Sequence, residues 1–358
     1  MKIRFEFLDG LRGLSSLWVL LFHSLLFNGY NIEGKHAIKW SDNLLLFILQ
    51  KPLSIGYLAV PIFIVLSGFC LALPVINNDL ILKGGFKRYI TRRAKRLIPP
   101  YYIALFFSLA LIFCFPILQE LKSTAWDSKL PITNGSIASH LFLMHNFNPN
   151  WIYKINGAHW SIATEWQIYW LFPLMLILWK KTNWIISFII FAIISLVLHK
   201  YIHFTAPEFI ILFFFGVICS YFSIKAKRFQ KINLISSTTI VGITFITFML
   251  REYEKLHMNI IVGLVISYFI YSLTTYKRFN SNKIIFLENK KVEFLGKISY
   301  SMYLIHGPIL AIFNLFLLKY LNITDDLRQL IIFLFCTIII IPVSTLFYNF
   351  IERKFLNK

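Results

Sequence analysis

The chain has 358 residues, 58% hydrophobic and 18% aromatic, with 15% charged and a mean hydropathy of +0.67. Soluble domains hold roughly 45–50% apolar and about 25% charged residues, so an ordinary soluble fold is excluded. The formal net charge of +20 would suit nucleic acid if it formed one patch, but it is scattered between apolar runs and reads as membrane orientation.

Apolar runs long enough to cross a bilayer recur along the whole chain. Ten spans are predicted, at 11–27, 55–76, 101–118, 160–179, 184–199, 208–223, 234–250, 259–276, 299–318 and 329–351. This is an all-α polytopic membrane protein, its helices expected in one bundle. It is expected to form a single integral membrane domain over 1–358 with no appended soluble domain. Sorting the Lys and Arg residues by side puts 25 with the two termini and 11 on the opposite face. Lys and Arg concentrate on the cytoplasmic side, so both termini are expected inside. The first apolar run ends in FNGYNIEG, without a small-residue cleavage site, and reads as a retained helix. Cys70, Cys114, Cys219 and Cys336 fall in spans, with neither metal-ligand spacing nor a disulfide framework. No metal is expected.

The first span carries Arg12 and His23. Eleven helical residues make about 1,100° of turn, so the two side chains lie about 20° apart on one face and about 16 Å apart along the axis. Asp9, three residues before Arg12, can pair with it locally. An ionisable residue inside a span is costly and marks a functional site, although a packing histidine satisfied by a neighbouring helix is the plainer reading. The second span holds Pro61 and the small pair Ser67 and Gly68, which suit close helix approach first and function second.

The loop that follows, GGFKRYITRRAKRLIPPYY, gathers Lys83, Lys87, Arg88, Arg92, Arg93, Lys95 and Arg96. If it is helical, Arg92 and Arg93 each lie about one turn from Arg96, a spacing suited to bidentate phosphate recognition. The same cluster would also serve orientation and contact with anionic membrane lipids. The longest connection, 119–159, contains SIASHLFLMHNF, which is apolar, too short to span, and expected to be interfacial or re-entrant.

The fourth span opens with HWSIATEWQIYW. Of the 16 acidic residues, Glu165 is the one placed clearly inside a span, at a depth close to that of His23. A carboxylate there can orient an imidazole; packing against Trp and Tyr is the alternative. The ninth span, within LGKISYSMYLIHGP, carries His306 with Tyr300 and Tyr303 nearby.

LDGLRG followed by His23, then VLSGF, RRAKRLIP with YY, HWSIATE and LGKISYSMYLIHGP resemble, in order and spacing, the acyltransferase-3 family of membrane acyltransferases. The resemblance spans residues 8–308. It matches the Arg-x10-His pattern at Arg12 and His23 and the Arg-x-x-Arg pattern at Arg93 and Arg96. The second block departs from the usual form at Ala59 and Pro61. The resemblance implies transfer of an acyl group, most often acetyl, from cytoplasmic acetyl-CoA to an extracytoplasmic glycan such as lipopolysaccharide O-antigen. It also implies the bacterial inner membrane, with acetyl-CoA as donor substrate and no permanently bound cofactor.

On that reading His23 and Glu165 are catalytic, and Arg12, Arg93 and Arg96 bind the donor. Asp9, Arg92, Trp160, Ser161, Tyr303 and His306 are supporting candidates. His23 is either a general base or an acyl-imidazole relay. Peptidoglycan, a secreted oligosaccharide or a lipid-linked sugar are alternative acceptors. The rival class is a proton-coupled transporter using His23, Glu165 and His306 as a relay, but the repeated halves common in transporters are not evident in the sequence.

Overall fold

The computed structural model describes residues 5–32, 35–251, 253–280 and 284–356. Among them, nine helical stretches of 20–33 residues are long and apolar enough to cross a membrane, and Phe209–Lys225 is a shorter apolar helix. Each predicted span falls on one of these ten. The protein is an all-α polytopic membrane protein; the one sheet among the described residues is a short hairpin pairing Tyr30–Ile32 with Lys35–Ala37.

The helices that matter for the chemistry are α1 (Glu6–Asn28), α3 (Ala59–Ile76), α4 (Gly85–Cys114), α5 (Asn134–Leu141), α6 (His159–Lys181), α8 (Phe209–Lys225) and α11 (Lys290–Tyr320), with α2 (Leu44–Ser54), α7 (Trp184–Ile202), α9 (Lys231–Leu250) and α10 (Lys255–Phe279) between them. The last stretch, Asp325–Phe355, is interrupted by two π-helical turns, Cys336–Ile340 and Tyr348–Glu352. One predicted boundary moves. The third span was predicted to begin at 101 after a basic loop, but α4 takes in the basic segment from Gly85 onward and runs through Pro99 and Pro100. Two missing N–H donors are tolerated where helix extends on both sides.

The chain forms two compact units; four of their five boundaries fall inside α1, α4, α6 and α11, and the fifth lies just before α3. The first comprises Met1–Ser15, Leu58–Arg93 and Thr164–Gly296. It is built on backbone approach at glycine. A Cβ on Gly68 would lie 2.1 Å from the Phe213 carbonyl oxygen, and one on Gly216 would lie 2.1 Å from that of Val65. So α3 and α8 meet backbone to backbone, as small residues permit inside membranes. The glycines of LDGLRG have the same origin. A Cβ on Gly10 would meet Leu287 O at 2.0 Å, one on Gly13 would meet Val292 O at 2.5 Å, and one on Gly296 would meet Asp9 O at 2.0 Å. Buried Glu208 accepts a hydrogen bond from Asn259 Nδ2 at 2.8 Å and sits 3.1 Å from His199 Nδ1.

The second unit comprises Ser16–Tyr57, Ala94–Ala163 and Lys297–Lys358. Its long connection is ordered by buried polar contacts rather than by regular structure. Trp126 is fully buried and donates from Nε1 to Leu118 O at 2.8 Å. Thr133 and Ser136 form a capping box at the start of α5. Beyond it Phe142, Met144 and Phe147 are exposed. His140 and His145 instead face inward, with rings stacked 3.7 Å apart. Burial holds the His140 imidazole down to about 4 and His145 well below the usual histidine range.

Candidate active site

In the second unit, α1 and α11 bring His23 and His306 together. His23 Nδ1 and His306 Nε2 are 2.7 Å apart, with ring centroids at 4.8 Å. The far nitrogen fixes the tautomers. His306 Nδ1 lies 2.9 Å from the Met302 carbonyl oxygen, which can only accept. In a neutral pair, His306 therefore carries its proton on Nδ1 and accepts at Nε2, so His23 donates from Nδ1. That leaves the lone pair of His23 Nε2 without a hydrogen-bond partner among the described residues. His306 is 1% exposed and His23 half-buried, so His23 is the accessible imidazole of the pair. Such a nitrogen can take a proton or attack an acyl carbon.

The α11 turn that carries His306 is held from several sides. Tyr303 OH and Ser161 Oγ are 2.6 Å apart, and His159 Nε2 lies 3.3 Å from Leu304 O. Asn156 Nδ2 donates to Leu304 O at 2.9 Å and to Ser108 Oγ at 3.2 Å. The expected residues Ser161, Tyr303 and His306 are thus brought together, and Trp160 stands in the first turn of α6. Lys129, unremarkable in the sequence, is within electrostatic reach of His23. Burial, and then the charge of Lys154, pull its ammonium down to about 7.

The first unit holds the second polar cluster. Arg12 Nη1 pairs with Asp9 Oδ1 at 3.2 Å, the i, i+3 contact anticipated from spacing. Its Nη2 lies 3.1 Å from Cys70 Sγ. Tyr169 OH donates to Glu165 Oε1 at 2.5 Å and is 3.1 Å from Ser67 Oγ. Tyr89 OH donates to the Tyr169 carbonyl oxygen at 3.1 Å. Arg93 acts electrostatically on both tyrosines, and its Nε is buried with no hydrogen-bond partner among the described residues. His23 takes its hydrogen bond with His306, whereas Glu165 takes its own with Tyr169.

The two arginines of the Arg-x-x-Arg pattern belong to different units. Arg96 is exposed and acts electrostatically on Glu352, whose Oε2 accepts from Ser301 N at 3.1 Å and from Ser301 Oγ at 2.5 Å. Arg92 is exposed. No group of three or more His, Cys, Asp or Glu suited to a metal ion occurs among the described residues.

Residues 5–349 match the acyltransferase-3 family, an acyltransferase domain. The chain belongs to this family. The paired histidines, the Arg12 cluster and the basic helix all lie within the matched region. Relatives include a putative peptidoglycan O-acetyltransferase, YrhL, of Bacillus subtilis (strain 168). It is 28% identical over 177 residues, which cover 48% of this chain and 23% of the relative. The O-acetyltransferase OatA of Staphylococcus aureus (strain NCTC 8325 / PS 47) is 26% identical over 313 residues, 79% of this chain and 51% of the relative. The chain therefore spans half the length of OatA or less than a quarter of YrhL. No solved structure matches it.

Proposed function

We propose that the protein is a membrane O-acyltransferase that moves acetyl from acetyl-CoA to a hydroxyl of an extracytoplasmic glycan. The observation that carries this is the His23–His306 pair, which leaves one basic nitrogen available beside buried polar groups. His23 Nε2 removes the hydroxyl proton as the sugar oxygen attacks the thioester carbonyl. The C–O bond forms, the C–S bond breaks, and the proton passes from His23 to the departing CoA sulfur. His306 holds the tautomer that makes this possible.

Arg12, Arg93 and Arg96 bind the donor, with Arg92 as a peripheral charge. Arg93 is supported by an unpaired buried Nε, a group suited to a phosphate or carbonyl oxygen. Glu165 acts here as a positioning residue, through Tyr169 and the neighbouring Arg93. The charge asymmetry supports cytoplasmic termini in a bacterial inner membrane, which brings acetyl-CoA to the basic face. The relatives' names support O-acetyl transfer, and that of YrhL brings peptidoglycan forward beside lipopolysaccharide O-antigen as acceptor. Mass spectrometry of both glycans from cells with and without the gene tests this. Loss of an acetyl increment from one of them identifies the acceptor, and unchanged acetylation of every surface glycan overturns the reading.

A further inference from the structure

In the second unit, two lysines of the long connection lie together. Ile155 N donates to Lys129 O at 3.2 Å, which sets Lys154 beside the 129–130 backbone, and Lys154 Nζ donates to Leu130 O. Lys129 Nζ donates to Ser128 Oγ at 2.7 Å and sits 5.4 Å from the centroid of the Tyr153 ring. Neither lysine forms an ion pair among the described residues. The nearby Asp127 spends Oδ1 on Lys122 N and Thr124 Oγ1.

The pair is tied to the reacting centre. A Cβ on Gly157 would lie 2.6 Å from both Cε and Nζ of Lys129, so the amine occupies the space that glycine leaves. The adjacent Asn156 binds Leu304 O, and its Oδ1 would lie 3.1 Å from a Cβ on Gly307. Those α11 positions flank His306, and the charge of Lys129 reaches His23. Two like charges, partly buried and without a carboxylate, are costly unless something supplies the counter-charge. The depression of Lys129 to about 7, caused by burial and by Lys154, is the same conflict seen from the proton's side. A bound anion would relieve it. The half-exposed ring of Tyr153 offers a flat apolar face to a sugar at the same place.

We infer that the acceptor is an anionic sugar, whose carboxylate or phosphate is held by Lys129 and Lys154 while a neighbouring hydroxyl is presented to His23. This rests on the proposed acetyl transfer and narrows its acceptor. The two lysines are then binding residues for the charged substituent.

The test uses the purified full chain, labelled acetyl-CoA and three pairs of methyl glycosides: gluco, galacto and manno, each as the neutral sugar and as its 6-uronate. The readout is the ratio of kcat/KM within each pair. A charge-assisted contact predicts that at least one uronate is preferred by about ten- to a hundredfold, mainly through KM. Lys129→Met and Lys154→Met bring that ratio toward one, whereas Lys129→Arg and Lys154→Arg hold it. Lys129→Gln replaces the methionine variant if the latter is not recovered folded. Equal use of uronate and neutral sugar by the wild type, or a preference surviving loss of both amines, overturns the anionic assignment and leaves acetyl transfer standing. Absence of transfer to all six glycosides overturns this inference, while the glycan acceptor itself stands or falls on the mass spectrometry of the surface glycans.

Discussion

Replacing His306 probes the relay without touching the nitrogen that reacts. In His306→Phe, the acceptor 2.7 Å from His23 Nδ1 is gone and an apolar ring of similar size fills its place. The His23 N–H is then left unsatisfied in a site whose inner face is closed to water, at about 1–3 kcal/mol. His23 can recover that energy by turning or by moving its proton to Nε2, and either change removes the base. At about 1.4 kcal/mol per tenfold, kcat should fall roughly 5- to 150-fold, with KM for acetyl-CoA little changed. His306→Gln offers an amide oxygen near the old Nε2 position and should recover much of the loss. The assay is steady-state transfer of labelled acetyl in proteoliposomes, with folded protein quantified for each variant. Wild-type kcat in His306→Phe, or a Gln variant as impaired as Phe, would refute the tautomer reasoning.

Tyr169→Phe removes the donor of the 2.5 Å bond and Glu165→Gln removes the charge of its acceptor, so the double variant should lose little more than the worse single one. Additive losses in a double-mutant cycle would give Glu165 another partner. Arg93→Ala and Arg96→Ala should each raise KM for acetyl-CoA by about ten- to a hundredfold, with Lys rescuing only in part; unchanged KM in both returns the cluster to membrane orientation. Gly68→Ala or Gly216→Ala forces a methyl against a carbonyl oxygen and should cost about 1–3 kcal/mol, read as lower folded yield and thermal stability in detergent. His140 titrates near 6.5 when unfolded and near 4 when folded, so between these values the unfolded chain binds the extra proton and stability rises with pH. Acidification across that window should remove about 3 kcal/mol, and His140→Asn should flatten the slope of thermal stability against pH.

The helical membrane architecture was legible because bilayer-length apolar runs and the Lys/Arg asymmetry are properties of the chain itself. The Asp9–Arg12 contact was legible for the same reason, being fixed by helix periodicity. The partner of His23 was not. Depth along a span suggested Glu165, but depth says nothing about which helices adjoin, and the hydrogen bond goes to His306 on α11. The continuation of α4 through Pro99 and Pro100 was obscured because local rules break a helix there while flanking helix sustains it. Cys70 against Arg12, Lys129 against Gly157, and the His140–His145 stack each depend on a fold that brings loops and helices together. No spacing rule encodes them. The glycines of LDGLRG looked like motif residues; their structural reason is the carbonyl oxygens of Leu287 and Val292.

The central claim is that His23 performs the transfer, and single-turnover transfer of labelled acetyl by His23→Ala tests it most directly. Loss of a positioned general base predicts a fall of about 10²–10⁴-fold in the transfer step, with the variant still inserted, folded and able to bind acetyl-CoA. A folded His23→Ala protein that labels the glycan at the wild-type rate would contradict the account.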